Sequence, residues 1–452
     1  MIKLRNIIMG LAVLSCTASY AQLPDAATIA PKMYPGWNLG NTMEGGDNAN
    51  NWTNNAGLAS ERAWQGMTTT QAIIDFVKSQ GFKSVRIPCA WVMGHITNKD
   101  QVTIDAQWMA RVKEIVDYCV NDGLYVLLND HWDGGWLENS FSDISDASIA
   151  ENSEKLRKLW TQIANEFKDY DEHLLFGGLN EPDASSQVQT NVLLKYEQVF
   201  VDAVRATGGN NATRTLVVQG PGTDIDKTNN LFDVTTLSDP AGKGRLMVEV
   251  HYYNPPQFTG VWKADNDHWL YFWGLANHVP SGTWAQYNCT WGEEADLRTQ
   301  FQKMKTKFAD KGYPVLLGEY GANWRSLGNT SVQKRHDASI KLFHKTVCSE
   351  AVKCGMIPFV WDINVANQNG TSGVMTVINR ATRTVFDTNA MTGITEGVAA
   401  ATWGGPISGI GTIPFDRSAD VKSTQVFNVL GQRVSPTTKG LVIVGGKKYV
   451  NK

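Results

Sequence analysis

The sequence lacks most of the signals that would assign a chain to a class outright. Past residue 21 no apolar stretch is long enough to cross a bilayer, so no membrane span is expected. Charged residues are only 19% of the chain and sum to −3, which gives nucleic acid or an anionic membrane no electrostatic hold. No Cys-x-x-Cys and no His/Cys cluster marks a zinc site, and no cofactor is called for. No Gly-x-Gly-x-x-Gly follows the first strand-like run, which counts against a dinucleotide fold. Cysteine is sparse, at six. Cys89 and Cys119 lie in apolar elements and read as inert core thiols, whereas Cys348 and Cys354 are close enough in sequence to pair in an oxidising compartment.

Tryptophan, in contrast, is plentiful at 16 residues, more than a core of this size calls for. Flat aromatic faces in excess suit a recognition surface. The N-terminus has the form of an export leader. Lys3 and Arg5 precede the apolar run "IIMGLAVL", and "SYAQ" offers small residues for a cut after Ala21; a lipoprotein-type cut before Cys16 is the second choice. The mature chain is therefore expected to be secreted or held at the cell surface after periplasmic transit, and to act as a monomer.

Between residues 22 and 400 one rhythm repeats: a short apolar run, a loop, an amphipathic helix, then Gly before the next run. Eight runs are present, at 33–41, 84–91, 125–132, 174–182, 215–222, 246–254, 314–321 and 356–364. Continuous rather than alternating hydrophobicity suits parallel strands covered on both faces. The helix beginning near residue 68 has Thr68 and Gln71 at capping-box spacing and Gly81 as its stop. Six further segments have helical apolar stripes, the last of them within 377–398. Strands alternating with helices mean an α/β protein, and eight such units favour a (β/α)8 TIM barrel. From 401 to 415 the composition turns to a Gly/Pro/Ile-rich linker. Residues 416–452 then alternate apolar and polar around Gly turns, as a short β-rich C-terminal appendage.

In such barrels chemistry collects at the C-terminal strand ends. The second run carries Arg86; the third ends in Asn129, His131 and Asp133; the fourth in Asn180 and Glu181. The sixth ends in His251 and Tyr253, the seventh in Glu319, and the eighth in Trp361 and Asp362. Any one of these fits a solvated loop; so many at one end point to a site. Strands four and seven stand three apart in an eight-membered ring, so Glu181 and Glu319 can face each other. Two carboxyls about 5–5.5 Å apart are the machinery of a retaining glycosidase, one attacking the sugar carbon and one protonating the leaving oxygen. Arg86 is the natural neighbour of the ionised member, and Asn180 can bond a sugar 2-hydroxyl.

The motifs "GWNLGN", "VRIP", the His after the third run, "LNEP", "HYY", "GEYG" and "FVWD" occur in order over residues 33–365. They resemble those of glycoside hydrolase family 5, and within it the endo-β-1,4-glucanases, which cleave internal bonds of cellulose or related β-glucans. That resemblance implies Glu181 as acid/base and Glu319 as nucleophile, with Arg86, His131, Asn180, His251, Tyr253 and Trp361 around them. It also implies glycone-side contacts by Asn41 and Glu44. Where many relatives have a second His after the third strand, this sequence has Trp132, which can serve either as a stacking face or as packing; Trp136 is a further candidate stacking face. Trp52, Trp262, Trp269 and Trp273 also fall in long loops, and about two of these loop indoles are expected to be sugar platforms. The long insertion at 255–296 is expected to shape the far side of the groove. The tail "VFNVLGQRV…KGLVIVGGKKYVNK" resembles the C-terminal sorting domain of the Bacteroidetes type IX export system.

Three alternatives remain. One is the same family acting on xyloglucan, mixed-linkage glucan or (gluco)mannan. Another is a metal-dependent hydrolase using His131, Asp133 and His251, and the last is a non-catalytic glycan-binding barrel.

Overall fold

The computed structural model describes residues 22–46, 51–367, 370–407, 426–428, 432–435, 440–444 and 447–451. The proposed export leader and residues 408–425, which hold most of the expected linker and the start of the tail, lie outside the described residues.

Eight parallel strands close into a barrel. They are β1 (Gly36–Asn38), β2 (Ser84–Ile87), β3 (Tyr125–Asn129), β4 (Leu174–Gly177), β5 (Leu216–Gln219), β6 (Leu246–Tyr252), β7 (Val315–Tyr320) and β8 (Met356–Val360), each paired with its sequence neighbour, and β8 returns to β1. Each strand is followed by a helix: α1 (Gln71–Ser79), α2 (Ala106–Asn121), α3 (Asp146–Glu166), α4 (Gln187–Ala206), α5 (Ile225–Leu231), α6 (Glu294–Lys307), α7 (Thr330–Lys353) and α8 (Thr388–Ala399). The expected TIM barrel is the fold.

Local chemistry departs from expectation in three places. The capping box at Thr68 does not form; α1 starts at Gln71 with Thr70 at its N-cap and no side-chain bond there. Gly81 does end it, at φ +96°, a conformation side chains rarely adopt. Helix α5 escaped the sequence reading because "IDKTNNL" buries only Ile225 and Thr228; Asp224 caps it by accepting from the Lys227 amide at 2.8 Å. The segment before α8 contains a hairpin, Ile378–Asn379 with Thr384–Val385.

Two layers fill the barrel. At the floor, Tyr125, Leu127, Leu175, Val217, Met247, Leu316, Ile357 and Phe359 form an apolar cluster with Ala26, Ile29, Ala30 and Met33 of the N-terminal segment. Trp403 packs on this cluster and stacks on Tyr34, ring centres 5.7 Å apart. Gly404 bonds Val352 O, so residues 401–406, expected as linker, begin as part of the barrel. Above the floor lies a polar layer of fully buried Asn38, Arg86, Asn129, Gln219 and Glu249.

Along β7 the pairing skips a residue: Leu317 faces Val250 while Glu319 faces His251. The extra residue, Gly318, is a bulge that re-aims Glu319. The tail forms a four-stranded antiparallel sheet of Val426–Asn428, Arg433–Val434, Gly440–Val444 and Lys447–Asn451. Among the described residues no helix is long and apolar enough to cross a membrane. The five described cysteines are all free and buried; Cys348 meets the Tyr320 hydroxyl at 3.1 Å rather than pairing with Cys354.

Candidate active site

The polar layer supplies an anchor and the strand ends supply the reacting groups. Arg86, fully buried on β2, donates through Nη1 to Glu319 Oε1 at 2.8 Å and to Asn38 at 3.1 Å, and through Nη2 to Asn180 Oδ1 at 2.9 Å. Its Nε lies 3.0 Å from Glu249. One guanidinium thus fixes β1, β4, β6 and β7 together, which its planar fork of donors suits. Tyr253 donates its hydroxyl to the other Glu319 oxygen at 2.9 Å. Glu319 therefore presents a carboxylate held at both oxygens.

Glu181 is placed differently. Its side chain is 41% exposed toward the cleft, and His251 Nδ1 meets Oε1 at 2.5 Å. Burial alone would lower the His251 pKa, but Glu319 and the bonds to Glu181 and Glu249 outweigh it and lift the imidazole to about 10. The Glu181 carboxyl feels the mirror effect. Desolvation would raise it, and the bond from His251 holds it below the ordinary carboxyl range. One proton is thus kept in the Glu181–His251 pair. Oxygens of Glu181 and Glu319 and a nitrogen of His251 all lie within 4.8 Å of one another. That separation belongs to the retaining geometry; inverting enzymes need about 6.5–9.5 Å to admit a water.

The other expected residues divide. His131 stacks on Trp361 with ring centres 5.7 Å apart. Its pKa is pushed well below the usual value by burial, then by Arg86 and His251, so it faces the cleft as neutral imidazole. Trp132 is 41% exposed, while Trp136 is half-buried and edge-on to Trp52 at 5.2 Å. Asn41 sits at φ +56°, and Glu44 is buried with its carboxylate accepting from the backbone amides of Asn41 and Thr42. Burial raises Glu44 to about 7.

Trp262 is 62% exposed and Trp269 lies beneath Lys263 and Arg325, whereas Trp273 is fully buried, a core residue bonding Gly292 O. The 255–296 insertion packs Tyr271 and Phe272 against Leu327 of the loop after β7 and Val332 of α7 in a small separate core.

The metal reading does not survive the geometry of its residues. Asp133 is fully buried and accepts the backbone amides of Trp91, Val92 and Met93, so it builds a loop. Asp362 likewise holds Trp37 and the amides of Val377 and Ile378. His251 is engaged by three carboxylates, and His131 by an indole face.

Sequence reasoning missed Glu138 and Glu249. Glu138, in the loop after β3, accepts from Asn180 Nδ2 and the Glu181 amide, both at 3.1 Å. Burial and then Glu181 raise it to about 7. Nothing in its local sequence marks it. Glu249 left a faint signal, an acidic residue two positions before His251 on one strand face.

A family model described as cellulase, glycosyl hydrolase family 5, matches residues 45–367. The chain belongs to glycosyl hydrolase family 5. It is therefore a glycoside hydrolase, and the mouth of this family 5 barrel is where its two cleft carboxyls meet. Endoglucanase A of Paenibacillus barcinonensis is 33% identical over 82% of the chain and 90% of its own length. Among solved structures, XEG5B, a xyloglucan-specific β-1,4-glucanase from a ruminal metagenomic library, is 49% identical with a TM-score of 0.77, covering 84% of this chain and 97% of that one. A family 5 xyloglucanase from Paenibacillus pabuli is 34% identical with a TM-score of 0.70, covering 82% of this chain and 100% of that one.

Proposed function

We propose that the protein is a retaining endo-β-1,4-glucanase working by double displacement. The observation that carries this is the facing pair Glu181 and Glu319, with oxygens within 4.8 Å and unlike surroundings. Glu319, oriented by Arg86 and Tyr253, attacks the anomeric carbon. The bond to the leaving oxygen breaks, and that oxygen takes the proton held between Glu181 and His251. Water then attacks the glycosyl–Glu319 ester and returns its proton to the same pair, freeing Glu319. Asn180 bonds the sugar 2-hydroxyl. His131 and Trp361 line the glycone side with Asn41, whose backbone amide the buried Glu44 holds, and Trp132 and Trp136 offer indole faces along the cleft.

A second reading concerns the glucan. The 49% identity to a xyloglucan-specific β-1,4-glucanase favours a branched backbone, xyloglucan, over unbranched cellulose. Exposed Trp132 and Trp262 fit such a wide, decorated chain. Reducing-end release on xyloglucan, carboxymethylcellulose, lichenan, glucomannan and xylan tests both readings. Preference for any β-1,4-glucan supports the first, and xyloglucan at the head of the panel supports the second. Preference for xylan would overturn both.

We propose further, from the sequence features above, that residues 1–21 export the chain and that residues 416–452 are a type IX-like tail of Bacteroidetes character. They address a monomeric enzyme to the cell surface or the medium.

A further inference from the structure

Beneath the reacting groups lies a carboxylate that the mechanism above does not use. Glu249 on β6 is fully buried. Its Oε1 lies 3.0 Å from Arg86 Nε and 3.3 Å from His251 Nε2, and its Oε2 accepts from Gln219 Nε2 at 2.6 Å. The same Gln219 takes the Leu179 amide at 2.9 Å, next to Asn180 and Glu181, and its own amide donates to Glu197 at 2.7 Å. Room for the carboxylate is built into the backbone. A Cβ at position 318, immediately before Glu319, would lie 1.9 Å from Glu249 Oε1, so Gly318 both forms the β7 bulge and leaves this space.

We propose that Glu249 is a positioning residue for the acid/base: it anchors His251 through Nε2 so that the Nδ1 proton faces Glu181. The inference rests on the reading of Glu181 as proton donor. A ring with no acceptor at Nε2 could turn, or lose its second proton and leave Nδ1 bare, and either would take the proton away from Glu181.

Charge works in the same direction. The groups facing His251 are Glu249 on its own strand, Glu181 from β4, Glu319 from β7, Arg86 from β2 and His131 after β3. Tyr253 stands beside them, and Glu197 of α4 stands behind Gln219. Burial raises Glu197 well above the carboxyl range, so it adds no charge of its own. Burial would raise Glu249 too, but Arg86 and His251 hold it below the ordinary range, so it is the ionised group behind the ring. It keeps a proton in the cleft even as Glu319 changes from carboxylate to ester.

The test is the isosteric Glu249→Gln in the full chain. The alkaline limb of kcat/KM on xyloglucan oligosaccharides is expected to move about one pH unit or more toward acid. The loss should be about tenfold at pH 8 for substrates needing protonation and small for a dinitrophenyl cellobioside, whose leaving group needs none. Glu249→Asp, which keeps the charge, should restore part of the limb. A limb that superimposes on that of the unmutated enzyme, or a uniform loss across leaving groups, would overturn the role.

If Glu249→Gln does not fold, 15N-histidine NMR of the unmutated enzyme decides. An Nε2 proton of His251 that stays hydrogen-bonded and slow to exchange above pH 8 supports the proposal, and a bare or freely exchanging Nε2 at pH 7 refutes it. Glu181→Gln separates this question from its premise. Full activity there would sink the proton-donor reading whatever Glu249 does.

Discussion

The two ends of this barrel are made by the same strands and behave as opposites. At the mouth, Arg86, His251, Glu181, Glu249 and Glu319 hold one another in a closed set of charged contacts. Removing one leaves a buried charge without its partner, which is the costly way to break such a network. At the floor, the apolar cluster under Ala26–Met33 and Trp403 is held mainly by side-chain packing, and its cost on mutation scales with volume. Strand alternation produces both, because inward-facing residues fall in successive layers. Isosteric exchanges at the mouth that keep its hydrogen bonds should cost rate far more than melting, whereas lost volume at the floor should cost melting and spare the rate.

The sharpest break of that contrast is Glu319→Gln. It should lower kcat by about 10⁴-fold or more while leaving a folded, glucan-binding protein, checked by steady-state kinetics and affinity electrophoresis. Tyr253→Phe removes one of the two donors on Glu319, and kcat should fall about 10²-fold with KM little changed. At the floor, two truncations sharpen the comparison. A stop after Ile407 keeps Trp403 and should leave melting and rate as they are. A stop after Thr402 removes the indole and should cost about 2 kcal/mol, seen as a lower Tm with the rate at 25 °C retained. Lost activity in the longer form would show that the tail completes the barrel.

The smallest effect concerns pH. His344 is buried with neither ring nitrogen bonded, and burial depresses it to about 3. The unfolded chain protonates it near 6.5. Between those values the unfolded state binds the extra proton, so this contribution to stability is full above about pH 6.5 and is lost as pH falls. His344→Phe, next to Tyr320 and Phe343, should flatten the fall of Tm between pH 6.5 and 4.

Much of the mouth is legible from sequence because several apolar runs stop at the residue that does chemistry. Glu181, His251 and Glu319 all terminate such runs, and barrel closure brings them together. Glu249 is hidden because it sits inside a run, where an inward carboxylate reads as an interruption rather than a site. Glu138 and Asp133 come from the same loop, and only their partners tell the roles apart: Asn180 and Glu181 for one, three backbone amides for the other. The helix α5 was lost for a related reason, since two buried residues make no stripe.

The central claim is that the short Glu181–Glu319 separation leaves no room for a water behind the sugar. NMR of the first product released from a β-1,4-glucan oligosaccharide tests it directly. A β-anomer at the new reducing end, decaying later to the equilibrium mixture, is the expected result. An α-anomer appearing first would mean inversion, and the two-step account would be wrong.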